Sequence, residues 1–566
     1  MKKTLYTLCA ICIALLMPAD NLLSCTNLLI SRGASVDGSV MVTYAADSHS
    51  LFGELYFKPA ANWPTGSKID VYNWDRGNYQ GQIAQIPHTY QTVGNMNQYQ
   101  VIITETTFGG VNLANRNGLI DYGSLIYITL QRAKSAREAI QIMTSLTQQY
   151  GYCSSGESFS IADKNEVWIM EMIGKGDQLG TVWVAIRIPD GYVCAHANQS
   201  RIHKIPFNDK ENCLYSKDVV SFAREKGLYS GSDEDFSFCD TYNPLDFSGM
   251  RGCEGRVWSA FNILGGGTFT WEDADGVHTA AADDYLDFAM GYNPDHKMPL
   301  YIKPAEKVTL SQVANVMRDH YEGTPMDMTE DPGAGVSRLP YRWRPMTFTV
   351  DGVTYTHERA IATQQTGFWL LGQARSWLPD EVGGIEWFGV DDAGTSPLTP
   401  MYTNISFVPE WFREGNGSMV EYSPTAAFWQ VNKVTHFAYL FYDRVAPVLR
   451  EEIEKHQDFC LEQVAKTDAM AVKMLNAGNR KMAVDLISET SNKLAEKMFN
   501  RWKELENELL VKYMDGNIKR VNEDGSYVTR PGTTIPSVDQ PQQRETWLRA
   551  IVNDRGETLK VVQPKK

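Results

Sequence analysis

The spacing of apolar residues along the chain changes character three times. An apolar run from Leu5 to Met17 comes first, behind Lys2 and Lys3 and ahead of Pro18 and a short polar stretch. That layout predicts an export leader, because the run is too short to cross a bilayer as a helix of about 20 residues. From Thr26 the pattern becomes that of short strands. Thr26 to Ile30 is largely apolar, Asp37-Gly38 supplies a tight-turn dipeptide, and a second apolar run follows near Ser39 to Thr43, which together predict a hairpin. Cys25 stands at the seam between leader and hairpin.

Helical spacing first appears in SAREAIQIMTSLTQQY. Ser135 precedes Glu138 by three residues as in a capping box, Ile140, Met143 and Leu146 share a face, and Gly151 closes the segment, so an amphipathic helix is expected. SFSIADKNEVWIMEMIG and GTVWVAIRIPDGYVCAHANQS then return to strand, turn, strand. Asn208 to Asp351 is irregular, with a glycine run at Gly265 to Gly267. From about Pro424 to Asp515 the chain holds long charged stretches without Pro or Gly, such as SNKLAEKMFNRWKELENELLVKY, and these predict helices. The expected organisation is α+β: a leader at 1–24, a sheet-rich domain at 25–420 with helices against its sheets, a helical extension at 421–515 and a polar surface tail at 516–566.

Composition narrows the function classes. The 566 residues are 43% hydrophobic and 21% charged, with a formal net charge of −15. That charge, with no Lys/Arg run to offset it, argues against nucleic acid and anionic membranes as partners. No apolar run after the leader is long enough to span a membrane, so the mature chain is expected to be exported and soluble, periplasmic or extracellular. Its seven remaining cysteines, Cys25, Cys153, Cys194, Cys213, Cys239, Cys253 and Cys460, lack zinc-ligand CxxC spacing, and no metal or organic cofactor is implied. An exported compartment permits disulfides, and the odd count leaves at least one thiol out of any intrachain pairing. The oligomeric state is left open.

Three chemistries compete for Cys25. Leu22-Leu23-Ser24-Cys25 resembles a lipoprotein box, yet an apolar strand follows at once where a lipid anchor needs a polar tether, so lipidation is disfavoured. A disulfide or a place in the core is the plain alternative. As a nucleophile, Cys25 would expose its own α-amine on leader removal. An amine with a pKa of about 7.7 to 8.0 can take the proton of a thiol near 8.5 without help from histidine. Export peptidases favour small residues one and three positions before the cut; Ser24 fits and Leu22 does not, which brings in self-cleavage or trimming of a short propeptide.

The run CTNLLISRGASVDGSVMVTYAADS resembles the opening of the dipeptidase A and secernin family of N-terminal nucleophile hydrolases. DYGSLIYITLQRAKSAREAI, YGYCSSGESFSIADKNEVWIMEMIG, VWVAIRIPDGYVCAHANQSRI and GRVWSAFNIL look like further family blocks in the same order, covering Cys25 to about Leu264. The rest of the chain is similar more loosely. The resemblance implies an αββα sandwich, with two stacked antiparallel sheets between helical layers, and dipeptide hydrolysis through a thioester on Cys25. It further implies Asp47 as the carboxylate holding the cysteine amine, Asn198 as an oxyanion donor and Arg256 as an arginine beside the nucleophile. Each position also has a purely architectural reading: a turn cap, a strand-end amide and an ion pair.

Where many members carry arginine, in an RNxD pattern, this chain has Tyr44, which brings no permanent charge to the thiolate and puts substrate choice in question. A dipeptide has a charge at each end, so Glu157 and Glu171 are candidates for its ammonium and Arg256 or Arg201 for its carboxylate. An amidase of bile-salt or penicillin type on the same scaffold, and a non-catalytic surface lipoprotein, are the rival readings.

Overall fold

The computed structural model describes residues 25–563; the expected leader lies outside the described residues. The hairpin forms as strands β1, Asn27–Ile30, and β2, Val40–Asp47, paired antiparallel with Leu29 opposite Val42. Thr26 bridges Ala45, so Cys25 begins the pairing beside the end of β2. β3 is Ile102–Gly109. Helices α1, Tyr122–Leu130, and α2, Ala136–Tyr150, follow. The Ser135 hydroxyl accepts from the Glu138 amide and Gly151 ends α2 at φ 76°, a left-handed conformation that suits glycine.

The two strand-turn-strand strings become β4, Gly156–Ala162, β5, Val167–Lys175, β6, Gln178–Arg187, and β7, Val193–His196. The irregular middle contains α3, Gly255–Leu264. Strands β8, Thr366–Ala374, β9, Gly384–Val390, and β10, Thr399–Tyr402, precede helices α4, Ala427–Leu440, α5, Tyr442–Asn476, and α6, Arg480–Tyr513.

These strands build two antiparallel sheets. One runs in the order Tyr301–Ile302, β7, β1, β2, β8, β9, β10. The other runs Cys213–Tyr215, β6, β5, β4, β3, Met96–Asn97, Thr92–Val93, Phe57–Lys58. The sheets meet face to face through β1 and β2 against β3, β4 and β5. Leu29, Val42, Ile102, Ile169 and Val184 are fully buried in a common cluster, each contributing about 1.5 to 3 kcal/mol by leaving water. Every residue of β5 and β8 is buried, as expected of strands covered on both faces.

Helix α2 packs on β6 and β4, while α3, α4 and α6 pack on β7, β9 and β10. The C-terminal helices share one core with the first sheet: Trp387 and Tyr402 cluster with Ile487, Trp502 and Leu505. Arg375 after β8 pairs with Asp468 of α5. The tail after Gly516 is not only a polar cover. It includes a helix, Glu545–Leu559, and the Arg544 guanidinium donates to the Thr329 and Gly335 carbonyls at 2.6 and 2.8 Å. Among the described residues no helix is long and apolar enough to cross a membrane, and the seven cysteines are unpaired.

Candidate active site

A cavity of 2410 Å³ opens at the end of the hairpin, with Cys25 in its wall. Cys25 is 1% exposed, and the neighbouring strands fix it from its C-terminal side. The Arg256 guanidinium, on α3, donates to the Cys25 carbonyl at 2.7 Å and to the Thr26 hydroxyl at 2.8 Å. It also donates to the carbonyls of Gly252 at 2.8 Å and Ala197 at 3.1 Å and to Asn198 Oδ1 at 3.0 Å. One buried cation thus ties together the start of β1, the end of β7 and the start of α3. With so many oxygens around it, Arg256 holds Cys25 in place rather than offering a cradle for a substrate carboxylate.

The sulfur lies 3.8 Å from the Tyr44 hydroxyl and 3.8 Å from Glu105 Oε1. Burial, then the Glu105 and Asp47 charges, push the Cys25 thiol well above its ordinary pKa, against hydrogen bonds from the Asp47 amide and Tyr44. Both anions oppose ionisation of the sulfur, so attack on a substrate requires a proton acceptor at hand.

Asp47 is fully buried. Its carboxylate accepts from Arg359 at 2.5 Å and from the Thr366 hydroxyl at 2.6 Å. Burial raises its pKa, countered first by the Arg359 charge. Asn198 follows β7 at φ 62°, a left-handed conformation that asparagine tolerates better than most residues. Its Nδ2 donates to the Thr107 carbonyl at 2.8 Å while Oδ1 faces Arg256, which fixes the orientation of the amide at the cavity wall.

The cavity lining carries both signs of charge: Asp75, Glu157 and Asp246 on one hand, and Arg76, Arg116, Arg251, Arg256, Arg344 and Arg359 on the other. Arg251 is paired with Glu358 and Arg359 with Asp47. Arg344 instead donates to Gln365 at 2.6 Å and to His49 at 3.1 Å, both neutral partners.

Two residues expected at the site stand elsewhere. Glu171 is buried among backbone amides, accepting from Ser200 Oγ and from the Arg201 and Ile202 amides, and does not line the cavity. Arg201 is 3% exposed, donates to Glu254 at 2.9 Å and binds the Ala195, Pro299 and Leu300 carbonyls. Both are architectural, because every polar atom they carry is already matched inside the fold.

The site instead recruits Glu105, Arg359 and Arg344, which sequence reasoning missed. Glu105 sits in VIITETTFGG, where a carboxylate inside an apolar, threonine-rich run was the available signal. His196, opposite Asn27 in the sheet, lies between Thr106 and Ser160 at 2.7 Å each. Burial lowers its pKa to about 3, so it remains neutral at physiological pH. His203, Cys239 and Asp240 place ligand atoms within 4.8 Å of one another, but the Lys297 ammonium already bonds Asp240 at 2.6 Å and approaches His203 Nδ1 at 3.4 Å, which disfavours a cation there.

A family model described as Peptidase family C69 matches residues 24–455. A probable dipeptidase of Latilactobacillus sakei is 24% identical over 503 residues, spanning 84% of this chain and 94% of its own length. A probable dipeptidase of Salmonella dublin is 25% identical over 410 residues, spanning 68% of this chain and 82% of its own. Probable dipeptidase B of Streptococcus pyogenes serotype M1 is 23% identical over 521 residues, at 88% and 95%.

Proposed function

The chain belongs to peptidase family C69, and on that premise we propose that it is an exported cysteine dipeptidase whose nucleophile is Cys25, made N-terminal by removal of the segment before it. The position of Cys25 carries this reading. It immediately precedes an inner strand of the first sheet, yet it lines the 2410 Å³ cavity. The stacked sheets with outer helices support the αββα sandwich of N-terminal nucleophile hydrolases, and the dipeptidase names of the relatives support the substrate class.

In this mechanism the free α-amine of Cys25 takes the thiol proton as sulfur attacks the peptide carbonyl carbon. Asp47 supplies a negative charge that favours the ammonium so formed. The tetrahedral oxyanion is assigned to the Asn198 amide; a donor aimed there typically contributes about 3 to 4 kcal/mol. The ammonium returns its proton to the departing amine as the C–N bond breaks, leaving a thioester. Water, deprotonated by the same amine, then attacks the thioester and releases the acid and the thiol. Arg344, bonded to neutral partners at the cavity wall, is assigned to the substrate carboxylate in place of Arg256 and Arg201.

Cys25→Ala tests the assignment directly. Hydrolysis of Ala-Ala should fall by roughly a millionfold with the circular dichroism spectrum unchanged, and the intact mass of the active enzyme should correspond to a start at unmodified Cys25. Activity surviving in the alanine variant, or a lipid-bearing terminus on the active enzyme, would reject it.

A further inference from the structure

Two carboxyl groups beside Cys25 have no part in those steps. Glu105 on β3 and Glu157 on β4 lie on paired strands, with Glu157 opposite Thr107. They are 0% and 1% exposed. Glu105 Oε1 accepts from the Tyr44 hydroxyl at 2.7 Å, and Glu157 Oε1 accepts from the Thr107 hydroxyl at 3.0 Å. The remaining oxygen of each, Oε2, has no donor from the protein, and the two carboxyls lie within hydrogen-bonding reach of each other when one is protonated. Glu157 lines the cavity with Cys25 and Tyr44. Glu105 stands behind that wall, against the sulfur, and two adjoining buried carboxyls with unmatched oxygens, one of them in the cavity wall, suit a cation.

We propose that Glu105 and Glu157 together receive the α-ammonium of the substrate, and so restrict the enzyme to peptides with an unblocked amino terminus, cut at the first peptide bond. This rests on Cys25 being the nucleophile. Distance supplies the restriction. An α-nitrogen lies about 2.5 Å from the carbonyl carbon of its own residue, and an attacking sulfur must approach that carbon to about 3 to 3.5 Å. With Glu105 Oε1 only 3.8 Å from the sulfur, an ammonium bonded to the pair at about 2.8 Å fits when it belongs to the residue under attack. One further residue would carry it roughly 3.5 Å beyond reach. The group passed to sulfur is therefore a single α-aminoacyl unit.

The pair also links binding to activation. Burial raises Glu105 to about 7, and Glu157 is raised further by burial and by Glu105 itself, so the pair holds one proton near neutrality. Cys25 and Tyr44 beside the first sheet, Asp75 in the turn between Lys68–Tyr72 and Tyr79–Ala84, Tyr122 and Tyr127 of α1, and Tyr152 after α2 are titratable groups that face it. An arriving ammonium displaces the shared proton to solvent and offsets the Glu105 charge that disfavours the thiolate. A blocked substrate does neither.

The test compares kcat/KM for Ala-Ala, N-acetyl-Ala-Ala and β-alanyl-Ala in the mature enzyme and in its Glu105→Gln and Glu157→Gln variants. Wild type should favour Ala-Ala over both others by about 30-fold or more. Each glutamine variant should lose most of that preference, chiefly through a higher KM for Ala-Ala, while iodoacetamide still labels Cys25 and reports an intact site. Equal turnover of free and blocked dipeptides by wild type would overturn the proposal. So would an equal loss on all three substrates in the variants, which would mean that the pair holds the Cys25 amine instead. Failure of the underlying assignment gives a different result, namely hydrolysis persisting in Cys25→Ala.

Discussion

Two buried polar regions flank the end of β7, and they differ in completeness. Around Arg201 every charge meets its partner: Glu171 takes the Ser200 hydroxyl and two amides, and Arg201 takes Glu254 and three carbonyls. Around Cys25, Glu105 and Glu157 each keep an oxygen without a protein donor, and the thiol is pushed up in pKa by burial and by its neighbours. Both regions are equally buried. Burial of charge therefore does not mark a site; burial left unsatisfied beside an opening does.

The contrast can be attacked from either side. The largest expected effect lies in the satisfied region: Arg201→Met strands Glu254 and should lower unfolding stability by about 3 to 5 kcal/mol, read from the urea midpoint, while kcat/KM of the folded variant on Ala-Ala stays within a few-fold of wild type. A large activity loss at full stability would place Arg201 in the reaction after all. On the other side, Asp47→Asn removes the carboxylate behind the proton acceptor. It should reduce kcat by about 100-fold or more and flatten the alkaline limb of the pH profile; unchanged kcat would detach Asp47 from the chemistry.

The smallest effect probes a buried carboxyl that is half satisfied yet does not line the cavity. Glu386 on β9 accepts from the Asn95 amide at 2.8 Å while its Oε1 has no partner, and burial raises its pKa to about 8 from the ordinary 4.5. The folded protein keeps a proton there that the unfolded chain has already released. Wild-type stability should consequently fall as pH rises from about 4.5 to 8, with the sign set by the extra proton in the native state. Glu386→Gln should remove that slope and stabilise the protein at pH 9 more than at pH 5, in paired urea titrations. Parallel titrations of the two proteins would show that this carboxyl is relieved by something other than protonation.

What the sequence revealed and concealed follows from range. The hairpin at Cys25, helix α2 with its Ser135 cap and the strands β4 to β7 were legible because turn dipeptides and apolar periodicity act over a few residues. The C-terminal helices were legible for the same reason, though their shared core with β9 and β10 was not. Glu105 and Arg359 escaped because their meaning comes from partners 61 and 312 residues away. Glu171 and Arg201 were assigned to the substrate because a strand pattern does not say which charges will find matching amides and carbonyls. Tyr44, singled out only as a departure from an arginine pattern, proves to be the donor that orients Glu105 toward the sulfur. The helix at Glu545–Leu559 lay hidden in a segment whose prolines and polar residues read as coil.

Arg256 grips Cys25 by its carbonyl oxygen and by the residue after it. A clamp on that side is indifferent to what is joined upstream, so under the proposed maturation scaffold assembly and exposure of the amine would be separable events. On the proposed mechanism a precursor would have Cys25 already seated, and a single bond scission would convert it to working enzyme without any rebuilding of the fold.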